Sequence, residues 1–195
     1  MATGWGDLAT ATVADNVAAA RVLDPTVRHL AGPPRAVGPA FTVRTGPGGY
    51  SAVREALAVA PAGCVLVLAG SGERGRAIWG EVSTAIAIGR GLQGVVVDGV
   101  VRDLAALREA RFPVFALGTT PRGPDREAAG EVDVTVICAG VEIRPGDLVL
   151  ADADGVVAVP ERALETGLVA ALAGDRRERE RLAEVLNAAA AARPS

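Results

Sequence analysis

Val95-Val96-Val97-Asp98-Gly99-Val100-Val101-Arg102-Asp103-Leu104 is the stretch from which the architecture follows. Three consecutive β-branched residues favour an extended, buried strand, predicted over Val95–Asp98. The glycine and charged residues beyond it lead into a helix, predicted from Asp103 to Ala110. A carboxylate, a guanidinium and a second carboxylate at the end of a buried strand must be paired or put to use, because charges near a core are costly. Two assignments are open at this point: a site for a small anion and a metal ion, or a helix cap with a neighbouring ion pair.

Working outward, the same alternation repeats. Upstream lie a strand at Phe41–Arg44, a Gly46-Pro47-Gly48-Gly49 turn, a helix over Ser51–Ala60 and a continuous apolar strand at Val65–Ala69. A glycine-rich loop at Gly70–Gly75 and a helix near Glu81–Gly91 complete the approach to Val95, and a strand at Pro113–Leu117 follows it. Strands alternating with helices of this length predict parallel β-α-β units with helices covering the sheet. An opening helix carries Val13, Val17, Ala20 and Val22, with Thr12 as its cap.

Beyond residue 130 the character changes. Val132–Cys138, Val141–Ile143, Asp147–Ala151 and Val156–Val159 read as short strands, separated by Arg144-Pro145-Gly146 and Asp152-Ala153-Asp154-Gly155. Connections this tight predict hairpins. Glu161–Leu172 and a charged helix over residues 175–192 close the chain. The fold class is therefore α/β, a central sheet flanked by helices with an antiparallel β unit in the C-terminal half, and the 195 residues form one domain.

Composition prunes the chemistry. Half the residues are hydrophobic but only 3% are aromatic, so Ala, Val, Leu and Ile must build the core. A net charge of −3, from 20 basic and 23 acidic residues, makes no electrostatic case for nucleic acid. No apolar run reaches the roughly 18 residues of a membrane span and the N-terminus lacks a signal pattern, so a cytoplasmic protein with no membrane partner is expected. All 20 basic residues are arginine. A lysine Schiff base, lysine-anchored pyridoxal phosphate and a Walker A lysine are thereby excluded from this chain. The single histidine, His29, cannot make a His-rich zinc site and reads as structural or exposed. Cys64 and Cys138 lie in apolar, strand-like runs and read as buried, inert thiols.

Four further motifs need weighing. Gly70-Ser71-Gly72-Glu73-Arg74-Gly75 fits the GxGxxG pattern, with Asp98 about 20 residues on as a ribose-binding acid would be. A dinucleotide fingerprint, however, opens its helix within the glycines, and here the helical periodicity starts only around Val82. An ordinary glycine-rich loop is the expectation. Trp79-Gly80-Glu81-Val82-Ser83 enters a helix whose first amides are either a carboxylate cradle or simply a helix start with Glu81 well placed against the dipole. Asp152-Ala153-Asp154-Gly155 begins like a calcium loop but continues into an apolar strand, so it reads as a hairpin turn. The mixed charges of Asp175–Arg181 suit a solvated helix face, with a subunit contact as the alternative.

Several landmarks occur together in one order: Val37-Gly38-Pro39-Ala40-Phe41-Thr42-Val43, Gly80-Glu81, Gly94 through Asp103, Phe112-Pro113-Val114-Phe115-Ala116, Pro145-Gly146-Asp147-Leu148-Val149 and Ala151 through Pro160. As a set they resemble the RraA-like family, which contains 4-hydroxy-4-methyl-2-oxoglutarate aldolases and regulators of ribonuclease activity. The resemblance covers roughly residues 8 to 165. It implies a swivelling β/β/α-type fold, assembled as a homotrimer or dimer of trimers with sites at subunit boundaries. It also implies a metal-dependent lyase acting on small 2-oxo acids, by retro-aldol cleavage or by decarboxylation of oxaloacetate. By the same resemblance Asp103 holds the metal, Arg102 contacts the substrate carboxylate, and the backbone at Gly80, Glu81, Val82 and Ser83 cradles the 2-oxo acid. Ala106 and Gly49-Tyr50 depart from the family pattern, at an acid that bears on metal affinity and at a pocket pair that bears on the substrate.

The residue chemistry agrees with that implication. Both reactions leave a pyruvate enolate, and without lysine the electron sink must be a Lewis acid. A hard ion held by one carboxylate and several waters suits Mg²⁺ or Mn²⁺. Arg102 steadies the developing charge, and Asp98 is the candidate to orient a proton-carrying water. The alternative is a non-catalytic regulator that binds a ribonuclease or another protein.

Overall fold

A computed structural model describes residues 4–191. Its centre is a mixed sheet in the order β1 (Arg21–Val22), β11 (Val156–Val159), β10 (Leu148–Ala151), β3 (Ala36–Thr45), β4 (Val65–Trp79), β5 (Gly94–Val101), β6 (Val114–Thr119) and β2 (Arg28–Ala31). β7 (Gly130–Val132) pairs with the far end of β3. The four middle strands β3, β4, β5 and β6 run parallel. They are joined by α2 (Ser51–Val59), α3 (Glu81–Gly89) and α4 (Leu104–Glu109), as the alternation predicts. Mixed α/β architecture with a large helix-flanked sheet is what the sequence led one to expect.

Side-chain parity along β5 sorts the core into layers. Val95, Val97 and Val101 join Val53, Leu57, Leu107 and Phe112 beneath the helices. Val96 faces the other way, among Val65, Val67, Phe115, Val136 and Ile143. There the sheet is covered by a separate hairpin of β8 (Val136–Cys138) and β9 (Val141–Ile143). A third cluster lies where α1 (Thr10–Asn16) and the long α5 (Leu164–Ala191) pack on β10 and β11, around Trp5, Val13, Leu150 and Val157. With few aromatics available, Trp79 and Phe112 stack at 6.1 Å, and the indole N–H donates to Thr84 Oγ1 at 2.8 Å.

Several local expectations are corrected. The glycine-rich loop at Gly70–Gly75 is part of β4, which continues to Trp79 through successive register shifts. Ala69 pairs with Asp98 and Trp79 with Val101, so the intervening residues bulge out of the ladder. No helix follows until Glu81, which removes the dinucleotide geometry. β5 extends to Val101, past the expected end at Asp98, because Val100 and Val101 still pair with β6. Val132–Cys138 is divided between β7 and β8. The tight turn of the β8–β9 hairpin is Ala139-Gly140, both at positive φ, a conformation that alanine does not advertise. Arg144-Pro145-Gly146 makes no hairpin and instead carries the chain from that unit back to β10.

Other corrections concern the helices. The opening helix stops at Asn16, and Thr12 lies inside it. Its terminal N–H, on Thr10, is capped by Asp152 Oδ2 at 2.8 Å, from a turn 142 residues away. The two C-terminal helical segments are one continuous α5, preceded by a short 3₁₀ turn at Glu161–Ala163. Residue 192, the expected end of the last helix, lies outside the described residues. Asp152–Gly155 is the expected turn, closed by the Asp152 N–H to Gly155 O bond at 3.0 Å. His29 is structural, bonded through Nε2 to Gly32 O at 2.9 Å and packed on Phe115. Cys64 and Cys138 are free and buried. Among the described residues no helix is long and apolar enough to cross a membrane.

Candidate active site

Parallel strands leave their carboxyl ends at one edge of the sheet, where the connecting loops diverge and a crevice forms. In this chain that edge collects the end of β4 at Trp79, the end of β5 at Val101, the start of α2 and the loop after β6. A cavity of about 200 Å³ lies there, lined by Tyr50, Ala77, Ile78, Trp79, Gly80, Val82, Ser83, Arg102, Asp103, Pro124 and Arg126.

Arg102 and Asp103 owe their position to the last rungs of β5. The Arg102 N–H donates to Trp79 O and the Thr120 N–H to Val101 O, each at 3.0 Å, so the chain leaves the sheet between two held neighbours. Asp103 then takes a left-handed conformation, φ +60°, one that aspartate tolerates better than most residues. It stands at the N-cap of α4, but no side-chain capping bond forms there. The carboxylate turns instead to the neighbouring helix, where Oδ2 accepts the Glu81 N–H at 3.1 Å. Arg102 Nε lies 3.5 Å from the same oxygen, and both side chains are 38% exposed. An ion pair this open adds little to folding.

α3 begins against that carboxylate. Gly80 is its N-cap, and the first intrahelical bond is Thr84 N–H to Gly80 O at 3.0 Å. With the Glu81 N–H engaged by Asp103, the amides of Val82 and Ser83 are the remaining donors of the first turn, and both residues line the cavity. A Cβ on Gly80 would lie 2.6 Å from Asp103 Oδ2 and 3.1 Å from Arg102 Cγ. The bare backbone at Gly80 leaves room for the Asp103 carboxylate and the Arg102 side chain in these positions. Tyr50 comes from the start of α2, and its hydroxyl is 2.9 Å from Ser83 Oγ.

Gly80, Val82, Ser83, Arg102 and Asp103 are thus brought to one cavity. Glu81 contributes its amide to Asp103 while its side chain is exposed. Asp98 is not brought there, so its expected role in orienting a water is corrected. Its parity on β5 points it to the opposite face of the sheet, where Oδ2 accepts the Ala139 N–H at 3.2 Å. That bond pins the turn of the β8–β9 hairpin. Arg126 and Pro124 were missed because nothing local marks their loop, and Tyr50, flagged only as a departure, contributes a hydroxyl.

The donor set can be tested against a divalent cation. Among the described residues no three His, Cys, Asp or Glu side chains converge, which does not suit a zinc-type cage. One partly exposed carboxylate on an open cavity does suit Mg²⁺ or Mn²⁺, which bind through one or two carboxylates and keep several waters. Asp103 fits that pattern.

A helix-flanked mixed sheet with a small crevice at the carboxyl edge of its parallel centre defines an α/β protein with its candidate site at the β-α junctions. The family description Aldolase/RraA matches residues 10–158, and this chain belongs to the RraA-like family. A protein of Halalkalibacterium halodurans, provisionally named 4-hydroxy-4-methyl-2-oxoglutarate aldolase, is 36% identical over 82% of this chain and 76% of its own length. One of Burkholderia multivorans with the same provisional name is 42% identical over 70% of this chain and 83% of its own. The structure of the RNA-processing inhibitor RraA from Thermus thermophilis superposes with a TM-score of 0.74 at 35% identity, covering 80% of this chain and 94% of that one.

Proposed function

We propose that this protein is a divalent-metal-dependent lyase that cleaves a C–C bond of a small 2-oxo acid, by retro-aldol cleavage of a 4-hydroxy-2-oxo acid or decarboxylation of oxaloacetate. The observation that carries this reading is the convergence of Arg102, Asp103 and the first amides of α3 on one cavity. The names of the aldolase relatives support it.

In either reaction the C3–C4 electron pair stays on C3, giving the pyruvate enolate, which then takes a proton at C3. Arg102 grips the C1 carboxylate through two N–H groups and offsets the negative charge that spreads onto the 2-oxo oxygen. The Val82 and Ser83 amides orient the 2-oxo acid against the start of α3. Ile78 and Trp79, both buried, give the cavity an apolar wall on one side. The Tyr50–Ser83 hydroxyl pair offers an uncharged donor and acceptor at its wall. Mg²⁺ or Mn²⁺ held by Asp103 supplies Lewis-acid withdrawal of charge from the 2-oxo group when bound. A homotrimer or dimer of trimers is the expected assembly, supported by the exposed Val82 and Ile86 of α3 beside the cavity.

Pyruvate release from 4-hydroxy-4-methyl-2-oxoglutarate and from oxaloacetate tests this directly. Turnover should require Mg²⁺ or Mn²⁺ and disappear with EDTA, with Asp103→Ala and with the better-tolerated Asp103→Asn. Turnover that survives chelation and both substitutions would reject the proposal. The likeness to an RNA-processing inhibitor favours a second reading, a non-catalytic regulator of a ribonuclease. That reading predicts no turnover with any 2-oxo acid and recovery of a ribonuclease on the immobilised protein.

A further inference from the structure

The loop between β6 and β7 carries a second guanidinium to the cavity. Arg126 lines it together with Arg102 and Asp103. The loop is not free to wander. Arg122 O accepts the Ala77 N–H at 2.9 Å, the Asp125 N–H donates to Gly48 O at 2.8 Å, and Asp125 O accepts the Tyr50 N–H at 2.9 Å. Ser51 Oγ donates to Ala128 O at 2.6 Å and Arg76 Nη1 to Gly123 O at 3.2 Å. At Gly123 the loop meets the first arginine closely, since a Cβ there would lie 2.8 Å from Arg102 Nη1.

Charge makes the arrangement pointed. Asp125 Oδ1 accepts the Glu127 N–H at 3.0 Å, which engages the carboxylate next to Arg126 with its own backbone. Among the described residues no acid lies within ion-pair distance of Arg126. An unpaired guanidinium on a tethered loop beside a cleft is a receptor for a carboxylate. The cavity of about 200 Å³ is smaller than the ~300 Å³ at which drug-sized pockets begin, and both arginines line it, so a small acid that fills it lies against both.

We propose that Arg126 is a specificity-determining residue that binds the distal carboxylate of a dicarboxylic 4-hydroxy-2-oxo acid while Arg102 holds the 2-oxo acid end. This rests on the reading of the cavity as a 2-oxo acid site. It also separates the two candidate reactions. In aldol cleavage the 4-hydroxyl gives its proton to solvent water, the C3–C4 pair stays on C3, which takes a proton back from water, and the carbonyl product formed at C4 keeps the distal carboxylate, so the contact with Arg126 persists throughout. In decarboxylation of oxaloacetate the distal carboxylate itself departs as neutral CO₂, leaving its bonding pair on C3, and the contact must be given up on the way. Arg126 therefore favours aldol cleavage over decarboxylation.

Calorimetric titration of the whole protein with Mg²⁺ present, comparing 2-oxoglutarate with 2-oxobutyrate, reads binding without turnover. The diacid should bind more tightly to the wild type. Arg126→Ala should weaken 2-oxoglutarate roughly ten- to a hundredfold more than 2-oxobutyrate, and Arg126→Lys should restore part of the difference. In pyruvate release, Arg126→Ala should raise KM for 4-hydroxy-2-oxoglutarate far more than for 4-hydroxy-2-oxopentanoate, with a smaller change in kcat. Equal losses for diacid and monoacid, or no loss for the diacid, overturn the assignment while leaving the lyase reading standing. Discriminating binding without turnover overturns the lyase reading and supports Arg126. A wild type that binds neither acid overturns both.

Discussion

Asp103 Oδ2 accepts the Glu81 N–H at 3.1 Å, so one carboxylate at the end of β5 also caps α3, the helix after β4. The contact joins two β-α junctions and fixes the wall of the cavity, and it exists because residue 80 has no side chain. A methyl group there would stand 2.6 Å from that oxygen.

Gly80→Ala should accordingly displace the Asp103 carboxylate and Arg102 with little harm to the fold. Gly80 has an extended backbone, φ −171°, open to any residue, and the atoms it would meet are side chains able to swing aside. We expect a stability loss of about 1 kcal/mol, or a Tm lower by roughly 2–4 °C, and a fall in kcat/KM of at least ~10-fold. Thermal denaturation alongside pyruvate-release kinetics checks both. A variant with wild-type kcat/KM would show that the position of Asp103 does not matter to turnover.

Asp152 should be a point of acid sensitivity. Burial pushes its carboxyl up, but the bonds from Thr10 Oγ1–H, Thr10 N–H and Asp154 N–H, with the Arg35 guanidinium, together outweigh burial and hold it below its ordinary 3.8. Stability from this group is therefore complete above 3.8 and is lost as pH falls through the depressed value. Asp152→Ala removes the cap of α1 and should cost about 2 kcal/mol at neutral pH, with a smaller difference from wild type at the most acidic pH at which both fold. Denaturant unfolding across that pH series is the measurement, and a deficit that grows on acidification would contradict it.

The two thiols should be silent in the native protein. Burial pushes Cys64 up to about 11, and burial followed by the Asp98 charge pushes Cys138 higher still. Iodoacetamide at neutral pH should label neither until denaturant is added, because the thiolate is the reacting form. The same shifts make stability depend on pH on the alkaline side. Full below the ordinary value of 9.0, the thiols' contribution declines as pH rises through about 11, since the unfolded chain loses its protons first. Native labelling at the rate of an unfolded chain would refute the assignment.

The parallel centre of the fold was legible because its signals are local. Val65–Ala69 and Val95–Val97 are continuous apolar runs, and the helices between them carry their own periodicity. Arg102 and Asp103 were legible for a related reason, as charges beside such a run demand an explanation. Illegible were the features made by register and by distant chain. The glycines after Ala69 look like a loop in sequence, and only pairing with β5 turns them into a bulged strand. Asp98 stands four residues from Arg102, yet strand parity sends it to Ala139 on the other face.

The sequence by itself determined the α/β alternation, the confinement of the basic groups to arginine and the junction at Arg102-Asp103, because hydrophobic period and residue chemistry are properties of neighbours along the chain. Only the tertiary structure decided that Asp152 caps the first helix, that Tyr50 meets Ser83, and that Arg126 joins Arg102 at one cavity. Those relationships depend on which loops the sheet's strand order brings to a common edge, a long-range outcome of packing that no local pattern encodes.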